Sequence, residues 1–158
     1  MIHVIKMLRE DHKKVKSLFK EYGKIQKDSQ LGRKSEIAQL VFRELTIHTQ
    51  IEEDHLYPFG LQNSDEKGKL MVLEAIEEHR VVKDLIEQLK NTDVSDAQFD
   101  ATFKVMQENV EHHIEEEESD LFPKLEKKLK EEDEQMSEQM VIEKQYLLHS
   151  LAEEGAKA

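Results

Sequence analysis

Cysteine and tryptophan are absent from this chain of 158 residues, and proline occurs only twice. Without cysteine, the chain cannot form a disulfide framework, a thiolate metal site or a catalytic thiol. No apolar run approaches the roughly 18 residues of a membrane-spanning helix. The N-terminal sequence MIHVIKMLRED also becomes charged too early for a secretory signal. We therefore expect a cytoplasmic protein that has no membrane partner.

The charge balance is acidic, because 35 Asp and Glu stand against 23 Lys and Arg and give a net charge of −12. A surface of this sign is repelled by phosphate backbones, so we expect no nucleic-acid partner. The charge is typical of a well-solvated surface, and a cluster of cation-binding carboxylates would produce it as well. Composition leaves both interpretations open, and the sequence does not identify a protein partner.

Apolar residues recur at helical spacing in four segments, and no segment shows the alternation of a strand. The first helix is predicted to end at Gly23 or at the LGR turn (31–33), and the second to run from Ser35 to Pro58. The third is predicted to follow the loop LQNSDEKG and to reach Leu89, and the fourth to run from Ser95 or Asp96 to Pro123. Four helices of about 25 residues with short loops are typical of an up-down-up-down bundle. We therefore predict an all-α fold, with a four-helix bundle over residues 1–128 and a C-terminal helical extension over residues 129–158 that packs on or beside it.

The chain repeats itself. The stretch HTQIEEDHLYP at 48–58 returns in altered form as HIEEEESDLFP at 113–123, a shift of 65 residues, and REDHKKVKSLF at 9–19 matches EEHRVVKDLI at 77–86 at a shift of 67. The bundle is therefore predicted to consist of two helical hairpins related by an approximate two-fold axis.

Six polar residues fall on the apolar stripes of the four helices, where core residues are expected: His12, His48, Glu52, His79, His113 and Glu117. A His and a Glu four residues apart on a helix can reach a common ion. Burying one polar group without a partner costs on the order of 1–3 kcal/mol, and an ionised carboxylate costs more. A single such His is more often a hydrogen-bonded core residue. Six on four helices, in register with a repeat, must satisfy one another or bind something.

Imidazole and carboxylate ligands are typical of Fe, Mn and Zn sites. The repeat predicts a dinuclear metal site with two His for each metal and two Glu between the metals. The predicted ligands are His12 and His48 for one metal, His79 and His113 for the other, and Glu52 and Glu117 as the bridges.

The arrangement His12 … His48-x3-Glu52 … His79 … His113-x3-Glu117, with its LYP and LFP endings, resembles the hemerythrin-like (HHE cation-binding) family over roughly residues 3–128. The resemblance implies a four-helix bundle around two non-heme iron ions, often with an oxo or hydroxo bridge. It also implies that the protein binds or reacts with O2, peroxide or NO, or senses iron. Mn or Zn remain possible metals.

One departure from the oxygen carriers of that family matters. The carriers have a second His on the third helix at HxxxH spacing, whereas the positions four residues to either side of His79 are Ala75 and Lys83 here. On the fourth helix the carriers use His-x4-Asp, where this chain offers Glu117 at the fourth position after His113 or Glu118 at the fifth. We therefore expect the four-His branch of the family. Three functions stay open: an enzyme that consumes peroxide or NO, a reversible O2-binding or storage protein, and a metal-free helical interaction module.

Several neighbouring residues are predicted to lie off the metal site. We expect Glu53 and Glu118 to be solvated or supporting carboxylates, and Asp11 and Glu78 to be partners of imidazole N–H groups or part of an exposed acidic face. We expect His55 at the rim, His112 pointing sideways, and His3 and His149 on the surface. Tyr22 and Tyr57 are candidates to fill an open metal position. Helical spacing places Tyr57 poorly relative to Glu52. The sequence contains no Gly-rich phosphate loop and no GxSxG motif, which argues against a nucleophilic hydrolase.

Overall fold

The computed structural model describes residues 3–25 and 30–157, with side chains up to residue 154. Within these residues the chain forms helices and no strand, which confirms the all-α prediction. None of the described helices combines the length and the apolar content that crossing a bilayer requires.

The chain forms a four-helix bundle built from two hairpins, because α1 packs on α2 and α4 packs on α5. The second helix of each hairpin continues through a π-helical turn into a short further helix. The elements are α1 Val4–Gly23, α2 Leu31–Ile51, the first π-turn Glu52–Leu56, α3 Tyr57–Asn63, α4 Glu66–Lys90, α5 Ala97–Glu116, the second π-turn Glu117–Leu121, α6 Phe122–Glu126 and α7 Asp133–Lys157.

The predicted end of the second helix at Pro58 is wrong. In an α-helix, the ring of a proline clashes with the carbonyl four residues earlier. Here the first π-turn lies directly before Pro58, and the N–H of Tyr57 bonds the carbonyl at the start of that turn, five residues back. The wider turn makes room for the ring, so the chain stays helical. The second π-turn precedes Pro123 in the same way.

Helix α7 covers one side of the bundle, where it packs against α1 and α2. Its first residue, Asp133, is buried and accepts hydrogen bonds from the main-chain N–H groups of His3 (2.6 Å) and Val4 (3.0 Å). A carboxylate at this position satisfies N–H groups that have no partner within α1. Among the described residues, α7 makes no comparable contact with α4 or α5, so that side of the bundle is left open.

Two apolar clusters fill the bundle on either side of a polar layer. The first core includes Leu8, Ile51, Val72 and Leu121 and extends to α7 through Met140. The second core, at the opposite end of the bundle, includes Phe19, Leu45, Ile86 and Phe103. The polar layer between them is therefore shielded from water at both ends of the bundle.

Candidate metal centre

The structure brings all six residues predicted as metal ligands into one buried layer, and none is more than 6% exposed. Helices α1, α2, α4 and α5 each contribute one His. The two Glu are the first residues of the two π-turns, one turn beyond the His of the same helix.

One group of ligand atoms forms between α1 and α2. His12 Nε2 lies 3.1 Å from His48 Nε2. His48 Nε2 lies 3.0 Å from Glu52 Oε1, and His12 Nε2 lies 3.3 Å from Glu117 Oε1. Four potential ligand atoms, one from each of these residues, lie within 4.8 Å of one another.

The second group repeats this geometry between α4 and α5. His79 Nε2 lies 3.1 Å from His113 Nε2, and these atoms lie 3.2 Å from Glu52 Oε1 and Glu117 Oε1 respectively. Each Glu therefore contacts one His of its own hairpin and one His of the other hairpin. This is the arrangement that two bridging carboxylates require.

The six side chains fit a pair of cations better than they fit one another. Both oxygens of Glu52 and Oε1 of Glu117 are buried and have no hydrogen-bond partner. An ionised carboxylate buried in this way is strongly destabilised unless a positive charge accompanies it. Four imidazole nitrogens and two carboxylates form a donor set suited to Fe, Mn or Zn. We call these six residues the cage.

A carboxylate approaches the outer nitrogen of each cage His. The distances from Nδ1 to the carboxylate oxygen are 3.0 Å for His48 and Asp11, 2.9 Å for His79 and Glu53, 2.8 Å for His113 and Glu78, and 3.6 Å for His12 and Glu118. The first three are hydrogen bonds in which Nδ1–H donates. A proton held on Nδ1 leaves the Nε2 lone pair facing the centre of the cage, as metal ligation requires.

The expected poor placement of Tyr57 is wrong, because its phenol lies inside the cage. Its hydroxyl donates to Glu117 Oε2 at 2.6 Å and lies 3.1 Å from His79 Nε2 and 3.4 Å from His113 Nε2. The π-turn adds a residue to the helical turn, which places Tyr57 on the same face as Glu52. A proline one residue after the tyrosine was the signal in the sequence.

The model of the hemerythrin HHE cation-binding domain family matches residues 3–125. The chain belongs to this family. Among solved structures, an HHE cation-binding domain-containing protein from Mycobacterium kansasii superimposes with a TM-score of 0.77 at 25% identity, and the match covers 96% of this chain and 93% of that one. That coverage takes in most of α7 as well as the bundle.

Two curated relatives are longer than the matched region. An uncharacterized hemerythrin-like protein of Schizosaccharomyces pombe is 29% identical over 124 residues, which are 74% of this chain and 61% of the relative. A Nostoc protein named as a DNA nickase is 30% identical over 116 residues, which are 73% of this chain and 31% of that protein. This hemerythrin-family chain therefore spans less than two thirds of either relative.

Protons compete with cations for the cage of this hemerythrin-family chain. Burial lowers the pKa of His48, but the charge of Glu52 and the hydrogen bond to Asp11 outweigh burial and raise that pKa to about 10. The pKa of His113 is likewise raised against the effect of burial, chiefly by Glu117. The carboxylates thus attract positive charge into the cage, and protons supply it where no metal is bound.

A cavity of about 20 Å³ adjoins the cage on the side of the second core. All four cage His line it, together with apolar side chains that include Val15, Val82 and Val110. A volume of roughly 10–15 Å³ holds one water-sized molecule, so the cavity suits a single small molecule.

The remaining candidates lie outside the cage. His55 contacts Glu143 of α7 at 2.6 Å, and Tyr22 donates to Asp100 at 3.0 Å. His112 and His149 are exposed, as predicted.

Proposed function

We propose that the cage holds two iron ions and that the protein reacts with a small oxidant: peroxide, O2 or NO. The observation that carries this proposal is the pair of buried carboxylates, Glu52 and Glu117. Three of their four oxygens lack a hydrogen-bond partner, and each carboxylate stands between His residues of both hairpins. Membership of a cation-binding family supports the same proposal.

Each hairpin would supply two imidazoles to one iron, and both carboxylates would bridge. Bound iron would supply electron transfer and an exchangeable coordination position. Asp11, Glu53 and Glu78 hold three imidazoles in the ligating tautomer, and the two cores shield the cage from water at both ends of the bundle. The cavity beside the cage has room for one small molecule.

The phenol of Tyr57 favours consumption of peroxide over storage of O2. Its hydroxyl donates to Glu117 and lies beside the nitrogens of His79 and His113, so one end of the cage has an O–H group next to the ligand atoms. Conversion of two peroxide molecules into one O2 and two waters requires proton movement and no external reductant. Simple storage of O2 requires no proton movement. The third helix also lacks a second His four residues from His79, because Ala75 and Lys83 occupy those positions, and this is consistent with the preference for peroxide consumption.

Reversible O2 binding is the second candidate, and the cavity is the observation that favours it. Its walls beyond the His rings are largely apolar, and a dry pocket next to the cage would hold O2 without releasing products. Peroxide consumption separates the two candidates. If the iron-loaded protein consumes peroxide no faster than the same amount of free iron, the enzyme proposal fails and the binding proposal remains.

Metal analysis combined with an absorption spectrum tests the common part of both candidates. We expect two irons per chain and near-ultraviolet bands of bridged iron. Glu52→Gln removes one bridging charge and is expected to bring the iron content to one per chain or less. Glu115 is exposed on α5, and Glu115→Gln is the matched control, which is expected to retain two irons. Fewer than one metal per chain in the unaltered protein, with identical unfolding with and without chelator, would instead support a helical interaction module.

A cavity-filling variant tests where the oxidant binds. Val110→Ile adds one methyl group to the wall of a cavity of about 20 Å³ and is expected to slow the binding of NO while leaving two irons in place. Val105→Ile makes the same change at an exposed position on the same helix. Equal rates for the two variants would show that the small molecule approaches the cage by another route.

A further inference from the structure

A second cluster of potential ligands lies outside the cage, on the side of the bundle that α7 leaves open. Glu78 on α4 and His112 and Glu116 on α5 bring ligand atoms within 4.8 Å of one another. His112 Nε2 and Glu116 Oε1 are 3.0 Å apart, and these side chains are 65% and 48% exposed. The cluster can therefore be reached directly from solvent.

A cavity of about 70 Å³ adjoins both this cluster and the cage. Its lining includes Glu78 and Glu116 of the cluster and Glu117 of the cage. Glu117 is 2% exposed, and its Oε1 has no hydrogen-bond partner. The volume of this cavity is several times the roughly 10–15 Å³ that one water-sized molecule occupies. One cavity is thus lined both by residues of the outer cluster and by a buried cage residue that has an unsatisfied carboxylate oxygen.

Glu78 links the two sites directly. One of its oxygens accepts a hydrogen bond from His113 Nδ1 at 2.8 Å. The carboxylate therefore contacts a cage imidazole and also belongs to the outer cluster. A cation at the outer cluster would be one side chain away from the cage.

The first half of the repeat has no equivalent of the outer cluster. A shift of 65 residues places Ile47 and Ile51 at the positions of His112 and Glu116, and these two isoleucines are 2% and 1% exposed in the first core. That half is covered by α7. The pair of His112 and Glu116 thus occurs in the half that solvent can reach, and isoleucines occupy the equivalent positions in the covered half.

We propose that Glu78, His112 and Glu116 form a capture site for Fe2+, which binds the ion from solvent and delivers it through the cavity to Glu117. Three ligands at an exposed position bind an ion more weakly than the two His and two bridging carboxylates that each iron would have in the cage, so the ion exchanges and moves inward. The carboxylates also raise the local concentration of cations, an effect that accelerates association by about ten-fold or more. This proposal rests on the proposed function, because it supplies the cage with its metal.

The test is the rate at which Fe2+ enters the metal-free protein under anaerobic conditions. Samples are quenched with a ferrous chelator at timed intervals, and protein-bound iron is measured. His112→Ala combined with Glu116→Gln is expected to slow loading about ten-fold. The final content is expected to stay at two irons per chain, because neither residue belongs to the cage.

The chain provides a matched control in His149 and Glu153 on α7. This pair has the same spacing, an Nε2–Oε1 distance of 3.1 Å and exposures of 75% and 61%. No third ligand joins it among the described residues. His149→Ala combined with Glu153→Gln removes the same chemical groups and is expected to leave the loading rate unchanged.

Equal loading rates for the two double variants would overturn the capture site while leaving the two-iron cage intact. A lower final iron content in the His112/Glu116 variant would overturn it as well, because the pair would then be holding the resident metal. An unaltered protein that takes up fewer than two irons would contradict the proposed function instead. As a direct check, Mn2+ added to the iron-loaded protein should broaden the ring NMR signals of His112 and not those of His149; equal broadening counts against the site.

Discussion

Tyr57 and Phe122 occupy equivalent positions in the two halves of the repeat, yet they meet the cage with different chemistry. The hydroxyl of Tyr57 donates to Glu117 at 2.6 Å. The ring of Phe122 stacks on His12, with 5.5 Å between ring centroids and an interplanar angle of 7°. The two ends of a nearly symmetric cage are therefore inequivalent, because one has an exchangeable proton and the other has an apolar cover.

Replacing Tyr57 by Phe makes the two ends alike. The hydroxyl satisfies a buried carboxylate oxygen of Glu117, and hydrogen bonds to charged groups contribute about 1.5–3 kcal/mol. We expect Tyr57→Phe to lower the free energy of unfolding of the metal-free protein by about this amount, as measured by urea denaturation. Tyr22→Phe, which removes a hydrogen bond at a less buried site, should have a smaller effect. Equal losses of unfolding free energy would mean that the hydrogen bond of Tyr57 stabilises the protein no more than that of Tyr22.

The outer carboxylates offer a second comparison between equivalent positions. Glu53 accepts a hydrogen bond from His79 at 2.9 Å, whereas Glu118 lies 3.6 Å from the Nδ1 of His12. Losing the outer partner of a metal-binding His typically weakens metal affinity about 10–100-fold. We expect Glu53→Ala to cause a loss in this range and Glu118→Ala a smaller one, as measured by competition with a chelator. The opposite ranking would contradict the supporting role assigned to Glu53.

The metal-free protein should lose stability as the pH rises above neutrality. The pKa of His48 is raised from 6.5 to about 10, and the pKa values of His79 and His113 move in the same direction. A raised pKa stabilises the folded state fully below the unfolded value, and this stabilisation disappears as the pH climbs through the folded value. The free energy of unfolding should therefore fall between about pH 6.5 and pH 10.

At acid pH the dependence of stability on pH has the opposite sign. Burial raises the pKa of Glu117, but His113 and His12 outweigh burial and hold it well below 4.5. Stability from this group is present above 4.5 and is lost as the pH falls further. Urea denaturation across the pH range checks both limbs. The iron-loaded protein serves as the control and should lose less stability at high pH, because metal charge replaces the protons. A flat profile for the metal-free protein between about pH 6.5 and pH 10 would contradict the inward orientation of the carboxylate charges.

Two helical glycines should respond differently to replacement by alanine. A Cβ at Gly60 of α3 would lie 2.9 Å from a methyl carbon of Val72 and 3.3 Å from one of Leu125, whereas a Cβ at Gly32 of α2 would meet nothing within 4 Å. Overpacking a core costs about 1–3 kcal/mol, while Gly→Ala on an open helix face gains up to about 1 kcal/mol. Thermal unfolding should show Gly60→Ala destabilised and Gly32→Ala unchanged or stabilised. Stabilisation of both would show that α3 moves freely away from α4.

The helical stripes were sufficient to place the six cage residues together, because a spacing of 3.6 residues is regular along α1, α2, α4 and α5. The same regularity caused the errors at Pro58 and Tyr57. A π-turn changes the spacing by one residue, and its position depends on how the proline ring packs within the folded bundle. Contacts from α7 were also invisible in the pattern, because Lys144 reaches Asp11 across 133 positions of the chain at 2.6 Å.

The two half-repeats have a further consequence for how such a cage can change over time. Two separate copies of one hairpin, joined by a two-fold axis, would supply four His and two bridging Glu without any further residue. Such a homodimer must present every substitution twice, once on each side of its axis. Fusion into one chain removes that constraint, so one half can place isoleucines under a covering helix while the other places a His-xxx-Glu pair in solvent. The asymmetry of this protein is therefore one that a symmetric homodimer of such hairpins could not acquire.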